Sequence, residues 1–196
     1  MNLPNKLTLA RVLLIPFFML FMYIEFPFHY FAALVIFAAA SITDALDGHI
    51  ARKNHLVTNF GKFLDPLADK VLVMAALAIF VEMPEVSVGA VPFIIITARE
   101  FMVSGLRLLA ANSGVVVAAG IWGKLKTAFT MVTIVGILLW LCVKYDCSIW
   151  FTVPKNIVNC IDNWIVTSLI WISTALTVIS GGIYLKGYWH LIDSDK

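Results

Sequence analysis

Residues 44–52 read Asp44-Ala45-Leu46-Asp47-Gly48-His49-Ile50-Ala51-Arg52, and residues 61–69 read Gly61-Lys62-Phe63-Leu64-Asp65-Pro66-Leu67-Ala68-Asp69. The apolar run from Ala32 to Ile42 leads into the first segment, and the run from Val71 to Val81 leaves the second. Asp44 and Asp47 are spaced i, i+3, and Asp65 and Asp69 are spaced i, i+4. Both spacings put the carboxylates of a pair on one helix face. Two antiparallel helices joined by a short loop would bring those faces together. The stretch therefore predicts a helical hairpin with four acids gathered at one end.

Such a gathering needs a counterweight. An Asp near the centre of a membrane helix costs about 2.5–3.5 kcal/mol, less toward the interface, and four neighbouring carboxylates also repel one another. A hard dication is the obvious compensation. Oxygen ligands without His or Cys favour Mg²⁺, Mn²⁺ or Ca²⁺ over Zn²⁺. Four carboxylates could hold two such ions bridging a diphosphate. The bland alternative is that the aspartates cap helices or pair with Arg52, Lys53, Lys62 and Lys70. That account serves one interfacial Asp well, and serves four on facing surfaces poorly. Gly48 and Gly61 let a backbone or a ligand approach closely; close helix packing in a membrane uses glycine in the same way.

Composition sets the solvent around this hairpin. Of 196 residues, 61% are hydrophobic and 13% are charged, against roughly 25% charged in soluble domains. A membrane-spanning helix takes about 20 apolar residues. The apolar runs predict an all-α, polytopic membrane protein with about six spans, near 8–24, 30–50, 63–82, 87–110, 125–144 and 164–185. Barrel-like alternation is absent. The first run follows basic residues (Lys6, Arg11), as a signal peptide does. It ends at Tyr23-Ile24-Glu25-Phe26-Pro27 without a small-residue cleavage pattern, so it is expected to be a retained span. With no repeat, low-complexity segment or soluble insert, 1–196 is expected to form a single membrane-embedded domain.

Charge gives the orientation. Of the 14 Lys and Arg residues, only Lys144 and Lys155 fall on one side of the six-span layout. The positive-inside rule then places both termini, the 51–62 and 111–126 connections and the four aspartates at the cytoplasmic face of the cell membrane. Tyr23, Trp140, Tyr145, Trp150, Trp164, Tyr188 and Trp189 stand near span ends, where interfacial belts or ordinary packing would use them. A formal charge of +2 gives no sign of a nucleic-acid partner. The cations sit beside apolar spans, where phosphates and anionic headgroups are their natural company. Cys142, Cys147 and Cys160 lack paired metal spacing. Cys147 and Cys160 share one connection, which permits a disulfide without requiring it.

Written as a pattern, the opening stretch is D-x2-D-G-x2-A-R-x8-G-x3-D-x3-D. It resembles the CDP-alcohol phosphotransferase motif at all eight fixed positions: Asp44, Asp47, Gly48, Ala51, Arg52, Gly61, Asp65 and Asp69. Other strings resemble the bacterial phosphatidylglycerophosphate synthase branch of that family. They are Leu3-Pro4-Asn5 with Thr8 and Arg11, the run Asn59 to Lys70, Arg99-Glu100-Phe101 with Gly105-Leu106-Arg107, and Gly123 to Thr127. The resemblance implies a six-helix enzyme with a polar cavity open to the cytoplasm. It implies CDP-diacylglycerol and sn-glycerol 3-phosphate as substrates, phosphatidylglycerol phosphate and CMP as products, and a homodimer. It implies two divalent ions, Mg²⁺ or Mn²⁺, on Asp44, Asp47, Asp65 and Asp69, with Asp69 also the base for the acceptor hydroxyl. Gly48, Ala51, Arg52 and Gly61 would line the cytidine diphosphate site.

A dianionic acceptor calls for inward-facing cations. Arg99 interrupts the apolar run from Ile94, and an intramembrane Arg is a functional candidate, although a structural contact with Glu100 competes. Arg107 lies eight residues on, along the same helix face. Lys124 and Lys126 open the fifth span and read equally as topology anchors. Arg107 and Lys124 are the leading phosphate contacts, with Arg99 and Lys126 behind them. Thr8 and Arg11 either border the site or lie at the interface. Alternative acceptors within the family are inositol phosphate, serine or phosphatidylglycerol; the cation set suits a phosphorylated one better than serine. A cation transporter would need mid-membrane carboxylates and inverted repeats, and the sequence carries neither.

Overall fold

Backbone N–H and C=O groups in apolar surroundings must find their partners within the segment, and each long apolar run of this chain is a helix. The computed structural model describes residues 3–53, 59–84, 86, 88–112, 120–150 and 153–189; side chains are described for 8–43, 67–68, 70–84, 86, 88–110, 120–148, 150 and 153–189. The helices are α1 (Leu3–Tyr23), α2 (His29–Lys53), α3 (Asn59–Glu82), α4 (Ala90–Asn112), α5 (Ile121–Lys144), α6 (Lys155–Cys160) and α7 (Thr167–Tyr188). No strand occurs among the described residues. The fold is all-α, as expected.

The expected segments 30–50, 63–82 and 125–144 fall within α2, α3 and α5, whereas 8–24 runs one residue past α1, 87–110 starts ahead of α4 and 164–185 starts in the turn that leads into α7; α1, α3 and α5 begin about a turn before their apolar windows. A helix continues through its hydrogen bonds, whereas an apolar window stops at the first charges. The 145–163 connection is more structured than its polar composition suggests. It holds a 3₁₀ turn, Asp146–Ile149, and then α6, which runs through a π-helical turn, Ile161–Val166, straight into α7. Asp162 in that turn accepts Trp140 Nε1 and Lys144 Nζ, both at 2.6 Å, fastening it to the end of α5. The three cysteines are free thiols, with Cys142 buried and Cys160 exposed.

Helix α1 packs on α2 and α3, α5 packs on α2 and α7, and α4 packs on α7 and α3. The core is apolar toward the end where α1 meets α2: Phe18, Phe37, Leu77, Phe80, Ile134 and Leu138 are fully enclosed. Asp146 ties the same end together, its Oδ2 accepting the backbone N–H of Phe31 in the first turn of α2 at 2.7 Å.

The α4–α5–α7 side has the opposite character. Thr130, Thr133, Ser173, Thr174, Thr177 and Ser180 are buried there together with Arg99 and Lys126. Their hydroxyls bond back to the preceding helical turn or across helices, as Thr130 does to Ser173 at 2.7 Å. Leu13, Phe17, Ile94, Phe101, Leu108, Val132 and Val178 are meanwhile more than half exposed. Polar side chains inside and large apolar ones outside suit hydrocarbon as the surrounding solvent. The stretches Ile121–Ser148 and Lys155–Tyr188 are each long and apolar enough to cross a bilayer, and shorter apolar helical stretches cover Thr8–Tyr23 and His29–Thr43. Trp150, Trp164 and Trp189 stand exposed at the ends of this layout, where amphipathic rings are at home.

Candidate active site

Arg99 and Arg107 lie two helical turns apart on α4, so their side chains leave the helix on one face. That face meets α7 and the first turn of α5 around a cavity of about 560 Å³. Arg99, Arg107 and Lys124 line it with Lys70 from α3, Ser104 from α4 and Tyr184 from α7. Four cations therefore border one space, with Glu100 as the carboxylate on its wall among the described residues. Arg107 and Lys124 are exposed to the cavity, while Arg99 is buried at its base.

Arg99, Arg107 and Lys70 are held in place by neighbouring side chains. Arg99 Nη2 donates to Ser180 Oγ at 2.6 Å and Nη1 to Glu100 Oε1 at 3.3 Å. Its Nε is buried without a partner among the described residues. Arg107 Nη2 donates to Tyr184 Oη at 3.2 Å. Lys70 Nζ donates to Ser104 Oγ, which in turn donates to the Glu100 carbonyl. Long side chains fixed in this way lose less freedom when an anion arrives.

Lys126 is placed differently from Lys124. It is only 3% exposed, pairs with Glu100, and faces a small void beside Val73, Met74 and Ile96 rather than the large cavity. Thr8 and Arg11, on α1, are both buried within the helix bundle. Sequence reasoning missed Lys70, Ser104 and Tyr184 as lining residues. For Lys70 a signal existed, since it follows Asp69 directly.

Asp44 and Asp47 stand on α2, and Asp65 and Asp69 on α3. Their side chains lie outside the described residues, as do those of Ala51 and Arg52 and the surroundings of Gly48 and Gly61. Among the described residues no group of three or more His, Cys, Asp or Glu could hold a metal ion. The motif's own donor set does fit a hard dication: four carboxylates, no sulfur and no imidazole, carried by two helices that touch. Lys70, the residue after Asp69, brings that stretch of α3 to the cavity wall.

A second cavity of about 560 Å³ lies at the opposite end, lined by Glu25, His29, Tyr30, Tyr145 and Asp146 among others, with no Lys or Arg among the described residues. The lining of the first cavity is rich in cations, and that of the second carries Glu25 and Asp146.

The profile of the CDP-alcohol phosphatidyltransferase family matches residues 1–179. A CDP-diacylglycerol–glycerol-3-phosphate 3-phosphatidyltransferase of Bacillus subtilis is 40% identical over 207 aligned positions, covering 100% of this chain and 99% of its own length. Proteins of the same name from Haemophilus influenzae and Escherichia coli are 44% and 43% identical, each over 71% of this chain and 76% and 77% of their own. The family profile spans far more than the motif, and the chain belongs to the CDP-alcohol phosphatidyltransferase family.

Proposed function

We propose that this enzyme transfers the phosphatidyl group of CDP-diacylglycerol to sn-glycerol 3-phosphate, giving phosphatidylglycerol phosphate and CMP for phospholipid synthesis. The observation that carries the choice of acceptor is the cavity in which Arg99, Arg107, Lys124 and Lys70 converge. A phosphate dianion takes charge-assisted hydrogen bonds from such a set, whereas serine or another neutral alcohol would leave partly desolvated cations uncompensated. Relatives that match nearly the whole chain carry glycerol 3-phosphate in their names, which favours it over inositol phosphate.

In this reading the six long helices each span the membrane and the chain is one domain. Both termini and the cationic cavity face the cytoplasm, and the enzyme works as a homodimer. Arg107 and Lys124 hold the acceptor phosphate, Arg99 supports them from below, and Lys126 acts from the next layer through Glu100. Gly48, Ala51, Arg52 and Gly61 line the cytidine diphosphate site. Two divalent ions, Mg²⁺ or Mn²⁺, on Asp44, Asp47, Asp65 and Asp69 would supply neutralisation of the diphosphate charge. Asp69 takes the proton of the acceptor hydroxyl as its oxygen bonds to the lipid-bearing phosphorus. The bond from that phosphorus to CMP breaks, and CMP leaves with its electron pair.

The test is turnover by purified protein given CDP-diacylglycerol and labelled glycerol 3-phosphate, glycerol, serine or inositol phosphate, with and without Mg²⁺ or Mn²⁺. Glycerol 3-phosphate should be the preferred acceptor. Asp69→Asn should abolish turnover and leave CDP-lipid binding largely intact, because it removes the base but only one of several metal ligands. Near-normal turnover in that variant removes Asp69 from the mechanism, and a preference for serine removes the acceptor assignment.

A further inference from the structure

We propose that Tyr184 is a positioning residue that sets the geometry of the arginine pair and, with it, the enzyme's preference for phosphorylated acceptors; this rests on the cavity being the acceptor site. Two guanidinium groups aimed at one space repel each other, so something must hold them together in the absence of an anion. Tyr184 is placed to do so. Its ring lies 5.5 Å from the Arg99 guanidinium carbon and 5.6 Å from that of Arg107, within the range in which a ring face attracts a cation. Its hydroxyl oxygen accepts Arg107 Nη2 at 3.2 Å and the backbone N–H of Gly120 at 2.9 Å. One side chain from α7 thus fixes an arginine on α4 and the residue that opens α5.

The placement is enforced from three sides. Tyr184 is 4% exposed, and its ring stacks on Tyr188 with centroids 6.3 Å apart. Gly123 leaves the space that the hydroxyl fills: a Cβ built there would lie 3.2 Å from Tyr184 Oη. Ring and hydroxyl have separable tasks. The ring offsets the repulsion between the two cations, and the hydroxyl aims Arg107. Tyr184 acts on the acceptor through the arginines, which makes its contribution one of binding and discrimination rather than of the chemical step.

Steady-state kinetics with glycerol 3-phosphate, glycerol and CDP-diacylglycerol separates these roles. Tyr184→Phe, which keeps the ring, should raise KM for glycerol 3-phosphate about 5- to 10-fold, the net effect of one ordinary hydrogen bond, since the hydroxyl reaches the acceptor only through Arg107. KM for CDP-diacylglycerol and kcat should stay within about twofold of wild type in the same measurements. Tyr184→Leu should raise KM for glycerol 3-phosphate further and narrow the preference for glycerol 3-phosphate over glycerol. On an Arg107→Ala background, Tyr184→Phe should add less than about twofold, since the hydroxyl works through Arg107. Should Tyr184→Leu fail to fold, Gly123→Ala, whose methyl crowds the hydroxyl, gives a second reading with a smaller KM rise in the same direction.

Unchanged KM for glycerol 3-phosphate in Tyr184→Phe and Gly123→Ala, or equal rises for both substrates, overturns the inference. So does full additivity with Arg107→Ala. Arg107→Ala also separates the two layers of the argument. If it leaves KM for glycerol 3-phosphate unchanged, the acceptor site itself is misplaced and the role of Tyr184 falls with it. If it raises that KM while the Tyr184 variants do not, only the positioning role is lost.

Discussion

Glu100→Gln should destabilise the protein by about 3 kcal/mol while leaving its shape almost unaltered. Glu100 Oε1 is shared by Arg99 Nη1 at 3.3 Å and by Lys126 Nζ, and both cations are at least nine-tenths buried. At 3.3 Å and an effective dielectric constant of about 20, the Arg99–Glu100 attraction alone is about 5 kcal/mol before desolvation. Removing one partner of a buried pair usually costs about 3–5 kcal/mol, because the other charge is stranded. Glu100 has 17% of its side chain exposed, which lets water reach the site and places the loss at the lower end. Gln keeps a carbonyl acceptor but no charge, so two buried cations are left facing each other.

Adding Lys126→Met to Glu100→Gln should restore part of this, since it removes the buried lysine charge that the single variant strands. Arg99 would still have Ser180 and the Tyr184 ring. The assay is thermal unfolding of the four proteins of the cycle in one neutral detergent. For a chain of this size a loss of about 3 kcal/mol corresponds to a Tm lower by roughly 6–12 °C. A Glu100→Gln protein that melts with wild type, or a double variant less stable than the single one, would falsify the network.

Three further outcomes test other parts of the structure. Asp146→Ala removes the acceptor for the Phe31 N–H and should lower stability by about 1 kcal/mol, as loss of a helix cap does; an unchanged Tm would remove Asp146 as the tie between the ends of α2 and α5. Exhaustive chelation should abolish turnover, with recovery in Mg²⁺ or Mn²⁺ and not in Zn²⁺; persistent activity in chelator would refute the carboxylate–metal reading. Exposed Cys160 should react with a membrane-impermeant maleimide from outside intact cells in a Cys147→Ser protein, whereas labelling only after permeabilisation would invert the proposed topology.

How far the structure was legible in the sequence depended on whether the signal was local. The six apolar runs are long and separated by charges, so the helices they form could be counted and roughly placed. The π-helical turn at Ile161–Val166 could not, because Trp140 and Lys144, which fasten it, come from another helix. Arg99 and Arg107 were found by spacing within one helix. Tyr184 was not singled out, because its meaning comes from a partner 77 residues away.

Lys124 and Lys126 show the same division within a single turn. Residues two apart on a helix point in nearly opposite directions, about 200° around the axis, so one lysine of the pair had to turn away from whatever the other faced. That much was available from spacing alone. Which of the two would meet the cavity was not, because the answer lies in Glu100 on α4, whose carboxylate draws Lys126 into the bundle and leaves Lys124 at the opening. A buried Lys is costly unless paired, and a Glu beside Arg99 gains a second cation to share. The two facts satisfy each other only once α4 and α5 are docked.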